Sequence, residues 1–249
     1  MIFRPYYYYE TGCAAYVFGC GTLGKCAVVD PHETDIEAYI AFAATKRMVI
    51  THVIDTHVHA DHRSAGPDLA KRTSAHYCLH ESAQVQFSFE PLQDRQLIDL
   101  GNTRIQVLHT PGHTRESVCL LVTDFKRGND PWFLLTGDTL FVGSVGRPDL
   151  PGHARENASQ LYESIHQKLF SLPDEIEIYP GHFSGSSCGA GLSGKPSSTI
   201  GYERRWNPAL GLSRERFVEQ VSNVPPEPAG MEQILAFNSG RDESGGFRP

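Results

Sequence analysis

The 249-residue sequence has no CxxC pair, although it contains six cysteines, which are scattered along the chain. A zinc finger and a thioredoxin-like motif are therefore disfavoured, and reduced thiols in a cytoplasm are the simplest interpretation. No apolar stretch approaches the roughly 20 residues that span a bilayer. The first residues lack both a basic segment and an apolar segment, which argues against a secretory signal peptide. We therefore expect a cytoplasmic protein with no membrane partner.

Long runs of one charge are also missing. The chain has 22 basic and 29 acidic residues and a net charge of −7. Because nucleic acids and anionic membranes bind basic surfaces, neither is expected as a partner. Hydrophobic residues make up 40% of the chain and charged residues 20%, as in ordinary globular proteins. We expect one domain over residues 1–249, with a mobile tail from about residue 238.

Apolar periodicity predicts strands and helices in a repeating order. Cys26–Asp30 and Met48–Asp55 are typical of buried strands, and Asp35–Thr45 between them has helical spacing, which predicts a parallel pair with a crossover helix. Further strands are predicted at Tyr6–Tyr9, Arg104–His109, Val118–Thr123, Trp132–Thr136 and Glu177–Tyr179, and helices at Ala65–Arg72, Arg155–Phe170, Ser213–Val221 and Met231–Phe237. A long loop is predicted at Ser184–Thr199, which is rich in Gly and Ser. The order indicates two sheets flanked by helices.

Histidine is the unusual component of the chain, with 12 residues. Imidazole and acidic side chains directly follow four predicted strands: His57, His59, Asp61 and His62 after the first, then His113, Asp138 and His182 after three others. Strand ends at one rim of a sheet can converge on one point. Nitrogen and oxygen ligands suit zinc, iron or manganese, and the absence of thiolate from the cluster disfavours a structural zinc site. The pattern predicts a metal-dependent active site, and no metal role is assigned to the other histidines.

With these motifs the chain resembles the metallo-β-lactamase superfamily from about Gly12 to His182, including an early turn at Val29-Asp30-Pro31. The resemblance implies an αββα sandwich. Within that superfamily, four segments resemble the persulfide dioxygenases, including those fused to rhodanese domains: Thr136–Leu150, Tyr179–His182, Gly185–Gly189 and Gly201–Leu210.

The resemblance to persulfide dioxygenases implies one Fe(II) per chain, bound by His57, His113 and Asp138, with positions left open for substrate and O₂. The other members of the cluster would then orient ligands and bound water: His59, Asp61, His62 and His182. The implied reaction converts a small thiol persulfide, O₂ and water to free thiol and sulfite.

The hydrolase branch of the superfamily supplies the alternative. There the same residues hold two Zn(II) ions, with Asp61, His62, His182 and a bridging Asp138 at the second site, and a metal-bound hydroxide attacks thioesters or lactones. Glyoxalase II enzymes also carry a helical glutathione-binding domain, which is hard to fit into the segment after His182. The sequence alone does not separate one iron from two zinc ions. An accessory module without catalysis is a third alternative, which the intact ligand set disfavours.

Two loop residues are candidates for contacts with the substrate. Arg147 could pair with a substrate carboxylate or with Asp149, and both interpretations stay open. Cys188 could exchange sulfur with a persulfide, or it could be an incidental free cysteine. A homo-oligomer, either a dimer or a tetramer, is also expected.

Overall fold

The computed structural model describes residues 1–149, 153–184, 186, 191–224 and 230–241. The strands in this part of the chain form two six-stranded sheets. The first sheet follows chain order and contains β1 (Ile2–Tyr8), β2 (Cys13–Cys20), β3 (Lys25–Val29), β4 (Val49–Ile54), β5 (His76–His80) and β6 (Glu90–Leu92). Strands β1 to β3 pair antiparallel, and β3 to β6 pair parallel.

Two helices connect the parallel strands of the first sheet. Helix α1 (Ile36–Thr45) joins β3 to β4, and α2 (Gly66–Thr73) joins β4 to β5. Pro67 lies in the first turn of α2, where its missing N–H is tolerated, and Ser74 ends that helix in the left-handed conformation, with a φ of 55°. The predicted unit of two parallel strands and a crossover helix is confirmed.

The second sheet has the order β12-β11-β10-β9-β8-β7. Its strands are β7 (Leu97–Leu100), β8 (Thr103–His109), β9 (Val118–Asp124), β10 (Phe133–Gly137), β11 (Glu177–Pro180) and β12 (Ser198–Thr199). Neighbouring strands are antiparallel except β10 and β11, which are parallel and are joined by a crossover that contains α3 (Ala154–Glu163).

The central strands bury both faces, because successive side chains of a strand point to opposite sides of its sheet. Between the two sheets lies a core that includes Phe18, Ile54, Leu100, Leu120 and Phe133. The outer face of the first sheet packs against Tyr39 of α1 and Leu69 of α2, among others. The outer face of the second sheet packs against Leu161 of α3. The result is the predicted αββα sandwich.

In the described part of the chain, three helices follow β11: α4 (Ile200–Trp206), α5 (Arg214–Val221) and α6 (Met231–Asn238). Ile200 of α4 and Phe217 of α5 join the core on the outer face of the second sheet. Helix α4 was not predicted, although the hydroxyl of Thr199 caps it by accepting a hydrogen bond from the N–H of Tyr202 at 3.1 Å. None of the described helices is long and apolar enough to cross a membrane.

The predicted helix Arg155–Phe170 changes pitch along its length. The α-helical part ends at Glu163 and continues as a π-helical turn, Ser164–Lys168, and then as a 3₁₀ turn. In the wider turn, the hydroxyl of Ser164 donates to the carbonyl of Pro111 at 2.7 Å. The apolar spacing identified the buried face but carries no information about this contact with a distant loop.

The mobile tail expected from about residue 238 stays a prediction, since residues 242–249 lie outside the described part of the chain. Asn238 and Ser239 are 9% and 1% exposed. The carbonyl of Ser239 accepts a hydrogen bond from the N–H of Gln86 at 2.9 Å. Burial and this long-range contact fix the backbone beyond the end of α6, so packed structure extends through these residues.

Strand β7 offers a matched test of the core between the sheets. Leu100 is fully buried in that core, whereas Leu97 on the same strand is 52% exposed. We expect Leu100→Ala to lower the free energy of unfolding by about 2–5 kcal/mol, because it leaves a cavity. Leu97→Ala should change it by less than about 0.5 kcal/mol. Urea denaturation of both variants measures the difference, and equal effects would contradict this description of the core.

Candidate metal centre

The predicted ligands meet at one rim of the sandwich, where strands from both sheets end. Strand β4 leads into residues 57–64, which we call the histidine loop. In the second sheet, β8 leads to His113, β10 to Asp138 and β11 to His182. The N–H of Val118 donates to the carbonyl of Thr56 at 2.9 Å and joins the two sheets beside the site. Rigid strands therefore position ligands that are far apart in sequence.

Three of these side chains form the centre of the cluster. His57, His113 and Asp138 are almost completely buried, and their candidate ligand atoms lie within 4.8 Å of one another. Asp138 Oδ2 lies 3.5 Å from His113 Nε2 and 4.0 Å from His57 Nε2. Among the described residues, none hydrogen-bonds to any of these three atoms. Buried polar atoms normally have partners, and a shared metal ion satisfies all three at once, so the residues fit such an ion.

Hydrogen bonds on the far side of each imidazole prepare it to bind a metal. His113 donates from Nδ1 to the carbonyl of Arg147 at 2.8 Å, which leaves Nε2 with its lone pair. His57 Nδ1 lies 3.0 Å from the hydroxyl of Thr56, which itself donates to Asp30. Burial holds the pKa of His57 well below its ordinary value, so the ring is neutral. Neutral imidazole is the form that coordinates metals.

His182 connects this trio to a second cluster, made of Cys13, Asp61, His62 and His182. His182 Nδ1 lies 2.7 Å from Asp138 Oδ1, and His182 Nε2 lies 2.7 Å from Asp61 Oδ2. Because ionised carboxylates only accept hydrogen bonds, His182 donates to both. Asp61 Oδ2 also contacts His62 Nδ1 at 3.1 Å and the thiol of Cys13 at 3.3 Å.

The electrostatics of the two clusters follow from burial and close pairing. Burial tends to raise the pKa of Asp138, but interaction with His182 and His57 outweighs it, and the pKa lies below the ordinary value. Burial likewise opposes the charge on His62, yet Asp61 raises the pKa of His62 to about 10. Asp61 and His62 therefore form a buried ion pair beside the trio.

Cys13 belongs to the second cluster although it was not predicted there, since no thiol was expected in the cluster. It is 4% exposed and forms an isolated bridge with His182, next to the hydrogen bond from Ala14 N–H to the carbonyl of Gly181 at 2.8 Å. Burial tends to raise its pKa, but hydrogen bonds with His182 and His62 lower it to about 7. No local motif marks Cys13, because only the pairing of β2 with the end of β11 brings it there.

His59 of the histidine loop lies between the early turn and the second cluster, with its Nδ1 3.9 Å from Asp61 Oδ1. Its Nε2 lies 3.2 Å from Asp30 Oδ1 and 3.9 Å from Asp55 Oδ1. Asp30 also accepts from the N–H of Thr56 at 2.7 Å, so this carboxylate links the early turn to the start of the loop. Nδ1 of His59 is buried and has no hydrogen-bond partner in the described part of the chain.

The two candidate substrate residues have different outcomes. Arg147 is 4% exposed, and its Nε and Nη2 each donate to Asp149 at 2.8 Å. The contact with Asp149 is thus formed, and the Arg147 carbonyl also orients His113. A contact between Arg147 and a substrate stays a prediction. Cys188 lies outside the described residues, and its role in sulfur exchange also stays a prediction.

The sequence of this chain matches the model of one protein family. The family model described as the metallo-beta-lactamase superfamily matches residues 8–182, from the end of β1 to His182. The chain therefore belongs to the metallo-β-lactamase superfamily, as its motifs predicted.

Individual relatives differ in length and in name. A metallo-beta-lactamase structure from Staphylococcus aureus has a TM-score of 0.90 and 33% identity, with 100% of this chain and 74% of that chain covered. ETHE1 from Myxococcus xanthus has a TM-score of 0.83 and 32% identity, with 97% and 100% covered. A probable hydroxyacylglutathione hydrolase of Schizosaccharomyces pombe is 31% identical over 170 residues, which are 68% of this chain and 62% of that hydrolase. The chain thus spans less than two thirds of this hydrolase.

The trio can be tested by removing its members one at a time. We expect His57→Ala, His113→Ala and Asp138→Ala each to reduce the bound metal to less than about a tenth of that in the unmodified protein, because each removes one of three candidate ligands. His76→Ala is the matched control, since the His76 side chain is 63% exposed. Elemental analysis of protein purified without oxygen measures the bound metal. Full occupancy in any of the three variants would refute the ligand assignment.

The role of the second cluster is tested by substituting His62. We expect His62→Ala to retain a metal ion at the trio, with the affinity for that ion weakened by about tenfold or more through lost orientation of Asp61. Equilibrium competition with a chelator measures that affinity. If His62→Ala empties the site as completely as His57→Ala does, both clusters bind ions and the two-metal alternative is supported.

Proposed function

We propose that this protein is a persulfide dioxygenase with one Fe(II) bound by His57, His113 and Asp138. A thiol persulfide, O₂ and water are converted to the free thiol, sulfite and two protons. The observation that carries the proposal is the buried trio of atoms, two imidazole nitrogens and one carboxylate oxygen, that face one point without hydrogen-bond partners among the described residues. Two imidazoles and one carboxylate are typical of non-haem Fe(II) oxygenases.

Hydrogen bonds of His182 connect the trio to the second cluster. Asp138 gives Oδ1 to His182 and keeps only Oδ2 for the trio. His182 is bonded through both ring nitrogens to carboxylates. A two-metal centre of the hydrolase type would need Asp138 as a bridge and a ring nitrogen of His182 as a ligand. The proposed one-iron centre would keep both hydrogen bonds of His182, whereas a two-metal centre would break them.

The side chains around the trio orient its ligand atoms and keep bulk water away from them. Bound Fe(II) supplies the redox chemistry between a persulfide sulfur and O₂. His182 fixes the orientation of Asp138 through a 2.7 Å hydrogen bond. The carbonyl of Arg147 and the hydroxyl of Thr56 fix the rings of His113 and His57. Because these groups are buried, bulk water is kept from the ligands, which strengthens each electrostatic contact.

The relatives and the C-terminal helices also support the proposal. ETHE1 from Myxococcus xanthus is matched over its whole length. In this chain, Ile200 of α4 and Phe217 of α5 are buried against the second sheet, and Asn238 of α6 contacts the histidine loop. These three helices are therefore parts of the sandwich. The likeness of Gly146-Arg147-Pro148-Asp149 to persulfide dioxygenases points the same way.

A binuclear zinc hydrolase of thioesters or lactones is the second candidate. Two buried atoms of the second cluster, Asp61 Oδ1 and His62 Nε2, have no hydrogen-bond partner in the described part of the chain and could bind a second ion. The relative named as a probable hydroxyacylglutathione hydrolase favours this activity as well. The two candidates share the fold and the ligands, and they differ in the ion and in the reaction.

The reaction separates the two candidates directly. With iron-loaded protein and a low-molecular-weight persulfide, we expect an oxygen electrode to record O₂ uptake with sulfite formed in equal amount. Thioester hydrolysis should be slow, because a single iron provides no bridging hydroxide. Asp138→Ala should abolish O₂ uptake, and His76→Ala should retain it. Rapid thioester or lactone hydrolysis, with no O₂ consumed from any persulfide, would establish the hydrolase instead.

A further inference from the structure

The histidine loop is hydrogen-bonded to a side chain from the opposite end of the sequence. Asn238, the last residue of α6, donates from Nδ2 to the carbonyl of His59 at 2.8 Å and to the carbonyl of His62 at 2.7 Å. Its Oδ1 accepts a hydrogen bond from the N–H of Ser64 at 3.0 Å. One amide side chain therefore makes three hydrogen bonds to the backbone of the loop.

The surroundings of Asn238 require an amide. Two carbonyl oxygens face one end of the side chain and one N–H faces the other, so a single orientation of the amide satisfies all three. A carboxylate would place an acceptor against the carbonyls of His59 and His62, and an alkyl side chain would leave all three groups without this partner. Asn238 is only 9% exposed, so water cannot readily replace it.

Contacts outside the histidine loop also hold the end of α6. The carbonyl of Ser239 accepts from the N–H of Gln86 at 2.9 Å. The N–H of Arg241 donates to the carbonyl of Ala236 at 2.8 Å, which closes the helix end. Asn238 is thus attached to a packed element that is anchored at the segment after β5. The loop, by contrast, has no regular helix or strand between His57 and Ser64.

We propose that Asn238 is a positioning residue of the metal centre, acting through the backbone of His59 and His62. By holding both carbonyl groups, it keeps the histidine loop in the arrangement that binds an ion, so less ordering is needed when the ion binds. This role concerns the loop and not the reaction. It holds for one ion or two, and it does not depend on the persulfide dioxygenase assignment.

Cobalt(II) binding to metal-free protein tests this role without turnover. Asn238→Asp keeps the shape of the side chain but removes the donor, and Asn238→Ala removes all three hydrogen bonds. Gln233→Ala, at an exposed position on the same helix, is the matched control. For both Asn238 variants we expect cobalt affinity, measured by chelator competition, to fall by about 10–100-fold, with altered cobalt absorption bands. Gln233→Ala should have the same cobalt affinity and the same absorption bands as the unmodified protein.

The absorption bands distinguish positioning from a general loss of stability, because they report the geometry of the bound ion in protein that is folded. Affinity and bands equal to those of the unmodified protein, in either folded Asn238 variant, would overturn the proposal. If neither variant folds, hydrogen exchange of the unmodified protein tests the proposal instead. Cobalt should then slow exchange of the Ser64 amide, and an unchanged rate would overturn the proposal. Absence of O₂ uptake would contradict the proposed persulfide dioxygenase activity, but it would not change the interpretation of the cobalt measurements.

Discussion

Asp138 is buried at the junction of the two clusters, with Oδ1 bonded to His182 and Oδ2 facing His57 and His113. A buried carboxylate is tolerated only when both of its oxygens have partners. Because Oδ1 is bonded to His182, only Oδ2 needs a further partner, which an ion can supply. The hydrogen bond to His182 orients the carboxylate, and the opposite oxygen is left for an ion. Through His182 the same bond extends to Asp61, so the geometry of the trio and the polar cluster beside it are set together.

The fold supplies this arrangement by bringing strand ends from two sheets to one rim. The approach is close: a side chain at Gly146 would place its Cβ 1.9 Å from the carbonyl oxygen of Asp138, so only glycine fits there. Gly112, before His113, has a φ of 145° and passes within contact distance of Leu161 on α3. Tight packing of this kind leaves little freedom for the ligands, as a preorganised site requires.

The sequence predicted those strands and site residues whose positions depend on the local pattern of apolar residues. Alternating or continuous apolar runs located β4, β8, β10 and β11, and the residues after them are those that converge. Cys13 and Asn238 could not be found in this way, because their positions depend on contacts between distant parts of the chain: β2 beside the end of β11, and α6 beneath the histidine loop. The change in pitch after Glu163 was missed for the same reason, since the contact of Ser164 with Pro111 is long-range.

We propose that one iron is held by His57 Nε2, His113 Nε2 and Asp138 Oδ2. A crystal structure of protein purified without oxygen, with anomalous diffraction recorded on both sides of the iron absorption edge, tests it most directly. We expect a single iron peak bonded to these three atoms, with His182 still hydrogen-bonded to Asp61. Two metal peaks with His182 and Asp61 as ligands, or a zinc signal in place of iron, would contradict it.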